Sequence, residues 1–432
     1  MLLTGAELRQ VFALASPFTA NGQLKPEAER VTLLAANANF PFELEMRAFA
    51  MAAAAGKGSP VIVQLSHNAA EAGSGDPGKI PTLAGVKHYS PDTNVVRGAE
   101  LAAGQIARFA AEYGARFVAV SLDHFKVPVY APAKLQDAPA ADSLSLALAE
   151  ARVRHAVSYM QSTFGEEAML DDATLRLYAL YLTGKEYITF RRDFLRVVER
   201  VRPAWGMIDT EMLPPVLDFV VTRDITEAVR HSLGNHEIII EAEFGATGTG
   251  GQALEYRRLT GAELDRFAAQ VVSFVRYTGA DAIAYPIGME HAAKKGQKHE
   301  PDVHRLEVVQ TALFRELGRY IPFAQHGGTG AAKVARGLVG KNNVNTHFLV
   351  AGALAMAEYG LANIEGIRAG DKKYCGATVF NNYLQAVAEA ALFKLGEVGS
   401  LNLGALLEES IGAVQGKASV ASVGKPQGAY DE

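Results

Sequence analysis

A single cysteine, Cys375, is all the sequence holds, so no disulfide can form within the chain and a reducing compartment is expected. No apolar stretch approaches the ~18 uninterrupted residues of a transmembrane helix. The first residues carry Glu7 and Arg9 where a secretory signal needs its apolar run, which points to a cytoplasmic protein. Neither sign of charge dominates: 42 basic residues stand against 47 acidic ones, a net charge of −5. That balance excludes a bulk electrostatic pull toward nucleic acid or an anionic membrane. No GxGxxG follows the first apolar run, which weighs against a doubly wound dinucleotide-binding sheet.

What is present is a regular alternation. The chain of 432 residues can bury a large core. Short apolar runs at 11–16, 60–66, 117–122, 205–209, 237–243, 281–288, 321–326 and 342–346 read as strands. Several are apolar almost throughout, as parallel strands covered on both faces should be. Ala-rich helical patterns lie between them, at 26–36, 43–56, 97–113, 262–278, 304–318 and 347–360. Eight such units predict an α/β fold, a (β/α)8 barrel, as one domain over 1–413. The gap between the third and fourth strands is too long for one unit, which typically takes about 25–40 residues. A helical insertion over about 128–188 is expected there, leaving from the catalytic face. It would roof the site, meet a neighbouring subunit, or serve packing alone. The stretch 414–432 has few large apolar residues and reads as a flexible tail.

Three apolar runs end in a histidine: Val118-Ala-Val-Ser-Leu-Asp-His124, Ala282-Ile-Ala-Tyr-Pro-Ile-Gly-Met-Glu-His291 and Ile321-Pro-Phe-Ala-Gln-His326. In a barrel, the C-terminal strand ends line the active site. A lone histidine there is usually a hydrogen-bonded core residue, but three with carboxylates alongside suit Zn²⁺, or Co²⁺ or Mn²⁺. The other strands deliver Asp123, Asp209, Glu241, Glu243 and Asn345. Adjacent strand residues point to opposite sides, so Asp123 is not expected to share an ion with His124; near a strand end it could serve as an acid/base instead. The run His326-Gly-Gly-Thr-Gly330 leads into a helical pattern and suits an anion. Ser66 ends the second strand as a polar contact.

Six short motifs in order resemble the class-II, metal-dependent fructose-bisphosphate aldolases and their ketose-bisphosphate relatives. They are SPVIVQLS, SLDH, GMID with EAEFG, GMEHAAKK, HGGTG and NNVNT. The resemblance implies zinc on His124, His291 and His326, with Asp209 and Glu243 as second-site metal ligands and a monovalent cation possible. It implies that Asp123 handles the proton of the substrate's C4 hydroxyl. Gly327, Gly328, Thr329, Asn345 and Thr346 would hold a phosphate, with Ser66 and Lys295 as further substrate contacts. The implied chemistry is reversible aldol cleavage of a phosphorylated ketose through a zinc-stabilised enediolate, in carbohydrate metabolism, by a homodimer or homotetramer.

The chain also departs from that family's pattern. The loop after E-x-E-x-G reads Gly250-Gly251-Gln252-Ala253, with Glu255 a little later, where the family carries acidic residues. The first strand, taken at 11–16, ends in Ala15-Ser-Pro-Phe18 rather than Asn. Ala292 stands where a glycine usually follows the second zinc histidine, and Lys372-Lys-Tyr-Cys-Gly-Ala-Thr378 lacks an arginine for a far phosphate. A substrate other than fructose 1,6-bisphosphate is therefore expected. Three other readings stay open: a zinc-dependent sugar epimerase or isomerase, a non-catalytic partner subunit of an aldolase, and a Schiff-base aldolase using Lys126.

Overall fold

Eight parallel strands surround the centre of the molecule: β1 (Leu33–Asn37), β2 (Val61–Ser66), β3 (Val118–Lys126), β4 (Trp205–Asp209), β5 (Ile239–Glu243), β6 (Ala282–Ala284), β7 (Ala324–Gln325) and β8 (Lys341–Val344). Their order is β6-β5-β4-β3-β2-β1-β8-β7, and every pairing is parallel. A parallel bridge from Ile283 to Phe323 joins the two ends, so the sheet closes as a (β/α)8 barrel. The computed structural model describes residues 2–39, 41–67, 90, 92, 94–136, 142–245, 258–287, 300–329 and 334–411.

The period-2 alternation of strand side chains divides the core in two. Leu33, Ala35, Ile62, Ala119, Trp205, Ile239 and Ala282 gather in one cluster with α1 (Gly5–Ala15). Their neighbours Leu34, Val61, Val63, Val118, Val120, Ile208, Ile240 and Ile283 belong to a second cluster with the surrounding helices. In β1 to β6 both faces therefore carry apolar residues, which is why most of these strands read as nearly continuous hydrophobic runs. The helices in chain order are α1, α2 (Phe42–Ala55), α3 (Val95–Tyr113), α4 (Pro132–Gln136), α5 (Ser143–Phe164), α6 (Asp172–Thr183), α7 (Lys185–Val201), α8 (Pro215–Glu227), α9 (Ala262–Thr278), α10 (Val303–Leu317), α11 (Thr346–Ala362), α12 (Ile364–Arg368) and α13 (Ala377–Glu397).

One strand differs from expectation. Residues 11–16 are not the first strand: they fall in and just after α1. Leu8, Val11, Phe12 and Ala15 recur at helical spacing and are buried. Phe12 lies 5.3 Å from the Trp205 ring, so α1 packs on the strand residues that fill the barrel. Thr4 and Glu7 begin it with a reciprocal capping box. The true first strand lies in the segment read as helical at 26–36; pairing with β2 and β8 overrides the weak strand preference of Leu-Leu-Ala-Ala-Asn. That strand ends in Asn37, so the departure seen at Ala15–Phe18 does not exist.

Between β3 and α7 stand α4, α5 and α6. Helix α5 packs against α8 and α9 of the outer ring. Arg152 pairs with Asp224 at 2.9 Å, Tyr159 donates to the Ser273 carbonyl at 3.2 Å, and the His155 ring meets the Tyr277 hydroxyl at 3.1 Å. The tail at 414–432 lies outside the described residues.

Candidate active site

The site begins with a break in β3. Its pairing with β4 shifts register between Leu122 and Phe125. His124 sits in the bulge with φ of 45°, a left-handed conformation that costs a non-glycine residue about 1–3 kcal/mol. The reversal lifts the alternation rule at this point. Asp123 and His124 both meet side chains of the barrel interior, although they are consecutive. Asp123 is fully buried and accepts from Gln64 Nε2 at 2.8 Å and from the Ser66 hydroxyl at 2.9 Å. His124 Nδ1 lies 2.9 Å from Asp209 Oδ2.

The two described histidines of the expected triad come together. The His124 and His326 rings stand edge to face at 4.9 Å between centroids. His326 Nδ1 is 4.0 Å from Glu243 Oε1, and its Nε2 is 3.2 Å from Glu241 Oε1. Burial alone would lower the basicity of His124. Asp123, Asp209 and Glu243 outweigh it and raise the imidazole to about 10. Asp209 is correspondingly held well below the usual carboxylate range: burial opposes ionisation, and the His124 bond and charge overcome it. A pocket that holds a proton this firmly is one that favours a cation.

A second buried layer supports this one. Glu241 Oε2 accepts from Trp205 Nε1 and from Lys341 Nζ, each at 2.5 Å. The Lys341 ammonium also lies 4.5 Å from the Trp205 ring centroid. Burial would raise the Glu241 carboxyl, but Lys341 and His326 hold it at about 2. Lys126 lies 3.8 Å from Asp209 and 3.7 Å from Glu211. Burial lowers its basicity, and these carboxylates together with Glu243 reverse that and raise it. A Schiff-base lysine needs the opposite shift, so Lys126 is poorly suited to that role.

The glycine run continues from His326. A Cβ on Gly328 would fall 2.1 Å from Asn342 Oδ1 and 2.6 Å from the Asn343 carbonyl, so only glycine fits. Its N–H donates to that carbonyl at 3.0 Å, and Gly327 turns the chain at φ of 70°. The Thr329 hydroxyl accepts from the backbone N–H of Asn345 at 3.3 Å and of His347 at 3.4 Å. Gly327, Gly328, Thr329, Asn345 and Thr346 are thus one unit at the start of α11, adjoining His326.

Of the expected site residues, Ser66, Asp123, His124, Asp209, Glu243 and His326 converge, and the glycine unit lies beside them. His291 and Lys295 lie outside the described residues, as do Gly250–Ala253, Glu255 and Ala292. Among the described residues no group of three or more His, Cys, Asp or Glu side chains stands ready to hold a metal. Four residues of the site were missed from sequence: Gln64, Trp205, Lys341 and Asn39, the last donating to Asn345 Oδ1 at 2.7 Å. For Gln64 and Lys341 a signal existed. Each shares the inward period of a named residue, Gln64 with Ser66 and Lys341 with Asn345.

A parallel barrel with imidazoles and carboxylates at its C-terminal strand ends has the architecture of the barrel enzymes. The family model described as fructose-bisphosphate aldolase class-II matches residues 207–402. Over that stretch the chain is similar to the class-II fructose-bisphosphate aldolases. A fructose-bisphosphate aldolase (Fba) from Campylobacter jejuni shares the fold, with a TM-score of 0.57 and 18% identity over 93% of this chain and 96% of that one. The structure of a putative fructose-1,6-biphosphate aldolase from Coccidioides immitis aligns with a TM-score of 0.46 and 14% identity, over 93% of this chain and 98% of that one. No curated protein matches the sequence. Among the described residues, no helix is long and apolar enough to cross a membrane.

Proposed function

We propose that this protein is a metal-dependent aldolase that reversibly cleaves a phosphorylated ketose to an aldehyde and a dihydroxyacetone-phosphate-type product. The observation that carries the reading is the bulge at His124. It brings Asp123 and His124 together with Asp209, Glu243 and His326 at one strand-end site.

Imidazoles and carboxylates are the donor types that a first-row divalent ion takes. His124 and His326 would hold it, completed by His291, with Asp209 and Glu243 available for a second position. Zn²⁺ is the expected ion, with Co²⁺ or Mn²⁺ as substitutes. When bound, such an ion supplies Lewis-acid stabilisation of negative charge on the ketose oxygens. Asp209 holds His124 by Nδ1, so the neutral ring carries its lone pair on Nε2.

The chain's own residues do the rest. Gln64 and Ser66 fix Asp123 from both oxygens, and Asp123 takes the C4 hydroxyl proton as the C3–C4 bond breaks. Gly327, Gly328, Thr329, Asn345 and Thr346 hold the phosphate at the start of α11, where the positive end of the helix dipole favours an anion. Lys295 would be a further contact to it. The missing arginine in Lys372–Thr378 favours a ketose without the second phosphate of fructose 1,6-bisphosphate. The reading includes a cytoplasmic homodimer or homotetramer.

A cleavage screen of phosphorylated and free ketoses, run with and without chelator beside metal analysis, tests this. Two fragments and loss of activity with chelator are expected. A single isomeric product would indicate an epimerase instead. Absence of bound metal, with His326→Ala without effect, would indicate a non-catalytic subunit. Chelator-insensitive cleavage trapped by borohydride would indicate a Schiff base.

A further inference from the structure

Glu45 is a fully buried carboxyl on α2, and none of the chemistry above uses it. Three donors converge on it. The Asn39 backbone N–H reaches Oε2 at 2.6 Å and the Asn39 side-chain amide reaches the same oxygen at 3.2 Å. The Tyr383 hydroxyl, from α13, donates to Oε1 at 2.8 Å. Asn39 Nδ2 donates to Asn345 Oδ1 at 2.7 Å, its shortest contact, and shares its remaining hydrogen between Glu45 and the Asn37 carbonyl at 3.1 Å. A continuous line of hydrogen bonds thus runs from α13, through α2 and the end of β1, to the residue before α11.

The direction of these bonds has a chemical consequence. A primary amide offers an acceptor oxygen on one side and two donors on the other. Asn39 occupies the oxygen of Asn345, so the face Asn345 turns elsewhere is its Nδ2 donor. The Asn345 backbone N–H meets the Thr329 hydroxyl at 3.3 Å, so Asn345 belongs to the glycine unit, and a donor there is the polarity an anion requires. Packing α13 on α2 needs only apolar contact; a buried carboxyl costs several kcal/mol without partners, roughly the range for an unpaired polar group. Its presence is explained if Asn39 must be held in one orientation.

We infer that Asn39, Glu45 and Tyr383 form a positioning relay that presents the Asn345 amide N–H to the substrate phosphate. The inference rests on the phosphate assignment of the glycine unit. The relay touches no reacting atom, so it governs affinity for the phosphorylated end rather than bond cleavage.

The test is calorimetric titration of inorganic phosphate into the full chain, with KM and kcat on the ketose the wild type cleaves. Asn39→Ala and Glu45→Ala are expected to weaken phosphate about tenfold, the effect of losing one charge-assisted hydrogen bond. KM should rise in step while kcat stays within about threefold. Glu45→Gln keeps an acceptor for Asn39 and should restore affinity to within about threefold. Tyr383→Phe removes one hydroxyl from a site that otherwise stays filled, and should weaken phosphate about threefold should either alanine variant fail to fold. Unchanged phosphate affinity in these variants, or equal loss in Glu45→Gln and Glu45→Ala, overturns the relay alone. A wild-type chain that binds no phosphate overturns the phosphate assignment and the relay with it.

Discussion

The Nδ1 atom of His124 and the Oδ2 atom of Asp209 lie 2.9 Å apart across the bulged boundary of β3 and β4. Each partner moves the other: the imidazole is raised to about 10, and the carboxylate is held low. Without an ion, His124 is a cation at neutral pH. A metal must displace that proton before the ring can donate to it.

Metal binding is therefore expected to release a proton from His124. Between pH 6 and 9, apparent affinity should rise roughly tenfold per pH unit if one proton is displaced. Titrations in two buffers of different ionisation enthalpy measure the release directly. Affinity independent of pH across that window would remove His124 from the ligand set. Asp209→Asn should lower metal affinity about 10–100-fold by loosening the ring, the usual effect of losing such a carboxylate.

Asp123→Asn separates chemistry from binding. An amide keeps its oxygen on Gln64 and can donate its nitrogen to the Ser66 hydroxyl, but it cannot take a proton. Loss of about 10²–10⁴-fold in kcat is expected, with metal content unchanged. A variant with full turnover would show that another group moves the hydroxyl proton.

The strands and most helices of the barrel were legible because parallel strands buried on both faces leave continuous apolar runs. The first unit was not. Phe12 and its neighbours are as apolar as any strand, but they pack on the barrel interior as a helix. Leu33–Asn37 is a strand only because β2 and β8 pair with it. In the site, the residues at strand ends were readable from position. The consecutive use of Asp123 and His124 was not, because it depends on a register shift that no side-chain pattern announces. Asn39 and Glu45 were invisible for a related reason: their roles come from a helix more than 300 positions later, as the 338-residue separation of Glu45 and Tyr383 shows.

Gly328→Ala tests the glycine unit. The added methyl meets Asn342 and the Asn343 carbonyl, so the loop must shift. Overpacking of this kind costs about 1–3 kcal/mol. The expected result is a lower unfolding midpoint and weaker phosphate binding, with metal content retained. Unaltered phosphate affinity would place the anion elsewhere.

Glu45 links the relay to stability. Burial raises its carboxyl to about 7, against the lowering effect of Asn39 and Tyr383. The unfolded chain carries this group at 4.5, so between these values the folded state binds the extra proton. This contribution to stability is complete below about pH 4.5 and is lost as pH rises toward 7. The loss amounts to about 3 kcal/mol at most, from roughly two and a half pKa units at 1.36 kcal/mol each. Glu45→Gln does not ionise and should remove this decline. The difference in unfolding free energy between the two proteins should therefore grow in favour of the variant from pH 5 to pH 7.5. A constant difference would mean that Glu45 stays ionised throughout.

Lys341 and Glu241 make the sharpest test of the barrel interior. Both are fully buried, at 2.5 Å, with Trp205 and His326 as further partners of the carboxylate. Lys341→Met leaves that carboxylate without its counter-charge in a low-dielectric interior. Breaking a buried pair in this way typically costs about 3–5 kcal/mol. Lys341→Met combined with Glu241→Gln removes both charges and keeps an acceptor for Trp205. It should recover most of that loss, as a neutral replacement of a buried pair often does. Urea unfolding of the wild type, Lys341→Met and the double variant gives the comparison. If the double variant is no more stable than Lys341→Met, the cost comes from lost packing of the lysine stem rather than from the isolated carboxylate.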